Sequence, residues 1–258
     1  MTKLTFLGTG TSQGVPMISC HCHICSSDDP RDKRLRSSVL IETGGVSLVI
    51  DSGPDFRQQM LRERVDRLDA ILFTHDHKDH TAGLDDVRAY NYTQGRAMDV
   101  YAEPRVIDSL KREFSYAFSD HKYPGVPEID LHPIDKEPFA VRGVEIVPIR
   151  GIHYHLPVLG FRIGRLAYLT DMNRIDPPER EKLKGLDVLV INALRKEKHL
   201  SHFTLDEAVA IIDEVSPRRA YLTHISHQLS RAAEAPPELA ARQIYYAYDG
   251  LTVETDEL

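Results

Sequence analysis

The chain carries no surplus of positive charge: 32 Lys and Arg stand against 39 Asp and Glu, a formal −7. Neutralising a row of phosphates needs a basic face, so extended nucleic-acid binding is not expected, while a small anionic substrate is. No apolar run approaches the ~20 residues that cross a bilayer. Met1-Thr2-Lys3-Leu4-Thr5 leads into a strand instead of a signal sequence. The expectation is a cytoplasmic protein that touches no membrane. Low-complexity and linker-like stretches are missing too, which favours a single domain over 1–258. Cysteine is scarce: all three lie between Cys20 and Cys25, an odd set with no export signal, which argues against a disulfide framework.

What the chain does have is a concentration of metal donors. Residues 70–74 read as a buried strand and run straight into His75, His77, Asp79 and His80, after which Gly83 gives way to a helical pattern. Imidazole nitrogen and carboxylate oxygen are donors that Zn(II), Mn(II) and Fe(II) accept. Alternate spacing at a strand end lets His75 and His77 face one ion while Asp79 and His80 reach a second. A solvated polar loop has no reason to repeat one ligand type at these offsets. The thiols Cys20, Cys22 and Cys25 form another candidate centre. A closed zinc site needs four ligands, and a distant fourth is expected over the crowded neighbours His21 and His23.

Strands are expected at 3–7, 37–42, 46–51 and 99–102, then at 139–142, 144–149, 158–163, 166–170, 187–192 and 220–223, with a closing pair at 245–249 and 250–253. Helices are expected at 84–92, from Pro104, and after Thr204, where Thr204 and Glu207 make a capping box with His202 just ahead of it. Strand-rich halves with helices on their outer faces predict an α/β fold of four layers, an αββα sandwich. The glycine-rich turn 8–16 follows a strand but precedes no helix, which removes a phosphate site at a helix N-terminus; it reads as one wall of the site. The aromatic stretch 118–127 suits a loop over the site, or a plain surface loop.

Donors that follow expected strands are Asp51, His75, His77, Asp79, His80, His153, Asp171 and His224. The His-x-His-x-Asp-His run at 75–80, with the others in this order, resembles the metallo-β-lactamase superfamily across essentially the whole chain. The resemblance implies His75, His77 and His153 as ligands of one metal, Asp79, His80 and His224 as ligands of a second, and Asp171 as the bridge. It also implies Asp51 as a support for the ligand loop. Between His153 and His155, the spacing to Leu159-Gly160-Phe161 selects His153. The segment Leu7-Gly-Thr-Gly-Thr-Ser-Gln-Gly-Val-Pro16, the cysteine cluster and Leu222-Thr-His-Ile-Ser-His-Gln228 are similar to the PhnP-type cyclic-phosphate phosphodiesterases. That likeness implies a structural zinc on Cys20, Cys22, Cys25 and His227, and His202 as a non-ligand histidine near the leaving group.

The expected function is therefore a metal-dependent phosphodiesterase for small, cyclic phosphodiesters. Two divalent ions, Zn or Mn, on a site that includes Asp79 and Asp171, would activate a hydroxide for in-line attack on phosphorus. His202 would serve the leaving oxygen. Arg195, Lys196 and Lys198 are expected either to hold a second phosphate or to form a solvated loop. Three competing readings share the ligands: a tRNA 3′-processing endonuclease, which needs an RNA-binding arm that this sequence lacks; a glyoxalase II-like thioester hydrolase; and a metal-holding binding protein without turnover. A homodimer is compatible with each.

Overall fold

In the strand Val188–Asn192 every residue is buried, with Val188 and Val190 on one side and Leu189 and Ile191 on the other. A strand apolar on both faces needs a layer above and below it. The computed structural model, which describes residues 1–121 and 123–255, supplies both. The first sheet contains β1 (Thr2–Gly8), β2 (Ser38–Thr43), β3 (Val46–Ile50), β4 (Ala70–Leu72), β5 (Met98–Ala102) and β6 (Ile129–Pro133). The second contains β7 (Phe139–Val141), β8 (Val144–His153), β9 (Leu156–Ile163), β10 (Leu166–Leu169), β11 (Arg174–Ile175), β12 (Val188–Asn192), β13 (Arg219–Thr223) and β14 (Ile244–Tyr246), and β15 (Thr252–Thr255) returns to the first. Spatial order is 15-1-2-3-4-5-6 and 11-8-9-10-12-13-14, with β7 on β8.

Three apolar layers hold this arrangement. Leu4, Phe6, Leu48, Phe161, Tyr168 and Val190 meet between the sheets. Val49, Ile71 and Val100 turn outward beneath the helices Phe56–Glu63 and Pro104–Glu113. Leu189, Ile191 and Leu222 do the same beneath the helix Leu205–Val215. The result is the expected αββα sandwich.

Parallel pairing decides where the chemistry sits. β3, β4, β5 and β6 run parallel, as do β10, β12, β13 and β14. β8 joins the second set in direction through antiparallel β9. Asp51, His75, His153, Asp171 and His224 therefore leave the carboxyl ends of their strands along one edge, where ligands bind in open α/β sheets.

Three local expectations are corrected. The helix at 84–92 is a 3₁₀ turn, Leu84–Val87, followed by a helix over Arg88–Gln94. β8 runs on to His153 because Ile152 and Gly151 pair with β11. The closing strands are no hairpin: β14 pairs with β13 and β15 with β1, in different sheets. Between them the chain crosses over, pinned by Gly250 N–H to the Phe6 carbonyl at 2.8 Å and by the Asp249 carboxylate accepting from the Thr9 hydroxyl and Leu35 N–H at 2.7 and 2.8 Å. Of the stretch 118–127, Gly125 and Val126 lie beside the helix Arg88–Gln94 near Tyr92, and none of its described residues lines either cleft at the donor edge.

Candidate metal centre

Asp51, Asp171 and His224 all have left-handed backbone, with φ of 65°, 55° and 54°. Such residues are uncommon and cost on the order of 1–3 kcal/mol; here each one ends a buried strand and turns its side chain inward. The donors converge on Asp171, which is 2% exposed. Its Oδ2 lies 3.4 Å from His80 Nε2, 3.3 Å from His202 Nε2 and 3.9 Å from His75 Nε2, and its Oδ1 lies 2.9 Å from His224 Nδ1. Asp79 Oδ2 approaches His80 Nε2 at 3.1 Å. Three groups of donors, all within 4.8 Å of one another, share Asp171: with His75 and His80, with His153 and His202, and with Asp79 and His224. His77 is exposed to the cleft and packs its ring 4.5 Å from His75 and 5.1 Å from His153. His155, the alternative to His153, is exposed beside Tyr154.

Hydrogen bonds behind the donors fix which nitrogen carries the proton. The Asp51 carboxylate accepts from Thr74 N–H and from the Thr74 hydroxyl, both at 2.9 Å, and from His80 Nδ1 at 2.7 Å. The Thr74 hydroxyl proton is spent on Asp51, so His75 Nδ1, 2.9 Å from the same oxygen, donates to it. His153 Nδ1 faces the Ser201 carbonyl at 2.9 Å, which only accepts. In all three rings Nδ1–H is committed, which leaves Nε2 as the atom turned towards the centre, the arrangement a metal ligand needs. His75 Nε2 and His80 Nε2 are buried and make no hydrogen bond.

Buried lone pairs facing a buried carboxylate call for a cation. Burial lowers the His75 pKa well below the ordinary value and takes His153 to about 4, which keeps both neutral. Burial also works against a charge on His80, yet Asp79, Asp171 and Asp51 outweigh it and raise its pKa well above the ordinary value. Burial would raise Asp171, but His224 and His80 outweigh it and hold the carboxyl well below its usual range. The pocket thus stabilises positive charge at its centre, and its nitrogen and carboxylate donors suit borderline divalent ions.

His202 differs from the other imidazoles. Its Nδ1 faces the Ser201 hydroxyl at 3.0 Å, a partner that can give or take a proton, and His199 Nδ1 at 3.1 Å, which accepts from Ser201 N–H at 3.3 Å. It also lines an open cleft of about 440 Å³ with residues of the glycine-rich turn, Arg195 and Gln228. The turn is thus a wall of the cleft. Adding a Cβ at Gly8 would bring it to 1.9 Å from the Arg36 carbonyl, so only glycine lets the turn fold back there. In the basic loop, Arg195 donates to Gln228 Oε1 at 2.8 Å and to the Lys198 carbonyl at 2.9 Å, Lys198 pairs with Glu207, and Lys196 is exposed.

Beside this cleft, which His227 also lines, the structure brings Cys20, Cys22, Cys25 and His227 within 4.8 Å of one another. His227 Nδ1 lies 3.2 Å from Cys20 Sγ and 3.5 Å from Cys22 Sγ. Four donors in a closed cluster are the set that zinc takes. His21 is exposed and His23 turns to Glu234 at 3.4 Å, so neither joins it. Sequence reasoning missed Thr74, Ser37, whose hydroxyl is 3.1 Å from His224 Nδ1, and Ser201. The polar Thr74 closing the apolar run 70–73 was the one available signal.

A family model described as "Beta-lactamase superfamily domain" matches residues 47–225. A solved structure described as "a New Diphosphatase from the PhnP Family" is 40% identical, superimposes with a TM-score of 0.92, and covers 99% of this chain and 98% of its own. The Zn(2+)-bound PqqB of Methylobacterium extorquens superimposes at a TM-score of 0.82 with 20% identity over 98% of this chain and 100% of its own, a likeness of fold. A protein named "Octanoyltransferase" from Porphyromonas gingivalis is 42% identical over 99% of this chain. The chain spans only 52% of that relative's length. No helix among the described residues is long and apolar enough to cross a membrane.

Proposed function

The chain belongs to the beta-lactamase superfamily, and within it we propose a hydrolase of small phosphodiesters that works with two divalent ions, Zn or Mn. One ion would be held by His75, His77, His153 and Asp171, the other by Asp79, His80, His224 and Asp171. Bound there, they would supply Lewis acidity towards phosphoryl oxygens and water. The observation that carries the reading is Asp171 standing in three donor groups at once, which supports one carboxylate serving every donor cluster at this edge.

The chain's own residues do the rest. Asp51, Thr74 and the Ser201 carbonyl keep His80, His75 and His153 in the tautomer that binds. His202 donates a proton to the leaving oxygen and regains it from the Ser201 hydroxyl, 3.0 Å from its Nδ1. Arg195, held by Gln228, offers its charge to a phosphoryl oxygen at the cleft wall, whereas Lys198 is committed to Glu207. The 40% identical structure is described as a diphosphatase, which supports chemistry at phosphorus over a thioester carbonyl. Cys20, Cys22, Cys25 and His227 would hold a separate, structural zinc.

Rates on bis(p-nitrophenyl) phosphate, 2′,3′-cyclic nucleotides, a precursor tRNA and S-lactoylglutathione, each with Zn(II) or Mn(II), test the proposal. Small diesters should dominate. Efficient 3′ processing of the tRNA, a dominant thioesterase rate, or metal-loaded protein inert towards all four would overturn it.

A further inference from the structure

Across His199 from the polar cleft lies another, of about 540 Å³, with the donors His77 and His153 in its lining. That volume is in the range of small-molecule sites. None of its lining residues is a carboxylate, lysine or arginine. Its walls come from separate segments. Tyr154 stands in the turn between β8 and β9, and Leu200 in the loop ahead of the helix Leu205–Val215. They are 54% and 74% exposed, two large apolar side chains left in water side by side at the lining of one cleft.

The walls are also braced. Asn173 Oδ1 accepts from Tyr154 N–H at 3.0 Å while its Nδ2 donates to the Leu200 carbonyl at 3.0 Å. One carboxamide thus spans both segments. Tyr154 has a left-handed φ of 59°, which a tyrosine adopts at a cost, and the bond from Asn173 helps to hold it there. The brace starts two residues after Asp171, so the walls are registered to the metal donors.

We propose that this cleft is a specificity subsite for an uncharged, apolar arm of the substrate. Tyr154 and Leu200 contact the arm, and Asn173 positions them. The proposal rests on the phosphodiesterase reading above and refines it: preferred substrates are asymmetric diesters. Their polar side faces Arg195 and His202, and their apolar side is retained against Tyr154 and Leu200.

Phenyl p-nitrophenyl phosphate and methyl p-nitrophenyl phosphate release the same leaving group and differ only in the retained arm. The ratio of their kcat/KM values should fall on the order of tenfold or more in the double variant Tyr154→Ser, Leu200→Ser. It should fall similarly in Asn173→Ala, whereas general destabilisation would lower both rates and leave the ratio alone. Both wall residues are exposed, so the substitutions do not threaten folding. Calorimetric binding of diphenyl and dimethyl phosphate to the metal-loaded protein repeats the comparison without turnover, with diphenyl phosphate expected to bind about tenfold tighter or more. A ratio unchanged by the variants, or equal affinity for the two phosphates, would overturn the subsite while leaving any diester turnover intact. Absent turnover with the binding preference preserved would overturn the phosphodiesterase reading and leave the subsite standing.

Discussion

Asp51→Asn exchanges one buried atom and should disarm two metal ligands. The native carboxylate accepts three hydrogen bonds and donates none. The Thr74 N–H belongs to the backbone and keeps an acceptor on Oδ1, so the new amide nitrogen falls where Oδ2 was. There it meets the Thr74 hydroxyl and His80 Nδ1–H, which converge on Oδ2 at 2.9 and 2.7 Å. Donors cannot share that position. His80 relieves the conflict by moving its proton to Nε2, the buried atom 3.4 Å from Asp171, and a protonated nitrogen cannot ligate. The Thr74 hydroxyl turns away from the amide, becomes free to donate to His75 Nδ1, and releases the tautomer of that ring as well. Loss of such a supporting partner typically lowers metal affinity by about 10–100-fold, or about 1.4–2.7 kcal/mol. Competition with a chelator of known affinity measures this, and ¹⁵N spectra of labelled histidine report the tautomers independently. Native metal affinity together with an unchanged His80 tautomer would refute the reasoning.

Cys22→Ser should remove one zinc per chain by elemental analysis and lower Tm by about 10 °C, since losing a structural metal belongs with changes above about 4 kcal/mol and a chain of this size shifts roughly 2–4 °C per kcal/mol; unchanged zinc content would remove the idea. His202→Ala should keep both metal content and Tm while kcat falls about 10²–10⁴-fold, the range for a positioned acid. If metal leaves with activity, His202 acts as a ligand beside His153 and Asp171, with which it shares a donor group.

The layered fold could be read from local pattern, because a strand buried on both faces and a capped amphipathic helix are written in neighbouring residues. Thr204 and Glu207 do form the capping box, and the donors His75, His77, Asp79 and His80 do follow β4. Long-range pairing was less accessible. β14 and β15 are both short and close together in sequence, and the crossing at Asp249 and Gly250, satisfied by Thr9, Leu35 and Phe6 more than 200 residues away, takes them to different sheets. His227 likewise meets Cys22 across 205 residues, a contact that no spacing rule anticipates and that a family resemblance could supply.

The candidate site divides along the same line. The spacing of the histidines is conspicuous, so the candidate ligands stand out. The groups that decide what those ligands can do are ordinary: a threonine hydroxyl, a serine carbonyl, an asparagine that braces two loops. Their importance lies in direction. Thr74 matters because its proton goes to Asp51, leaving its oxygen to accept from His75. Ser201 matters because its carbonyl faces His153 while its hydroxyl faces His202, so one residue commits one imidazole to a single tautomer and leaves the next free to exchange protons. The proposed ligands and the proposed proton carrier are the same residue type here. What separates them is whether the partner at Nδ1 can only accept, and that is a property of the folded backbone.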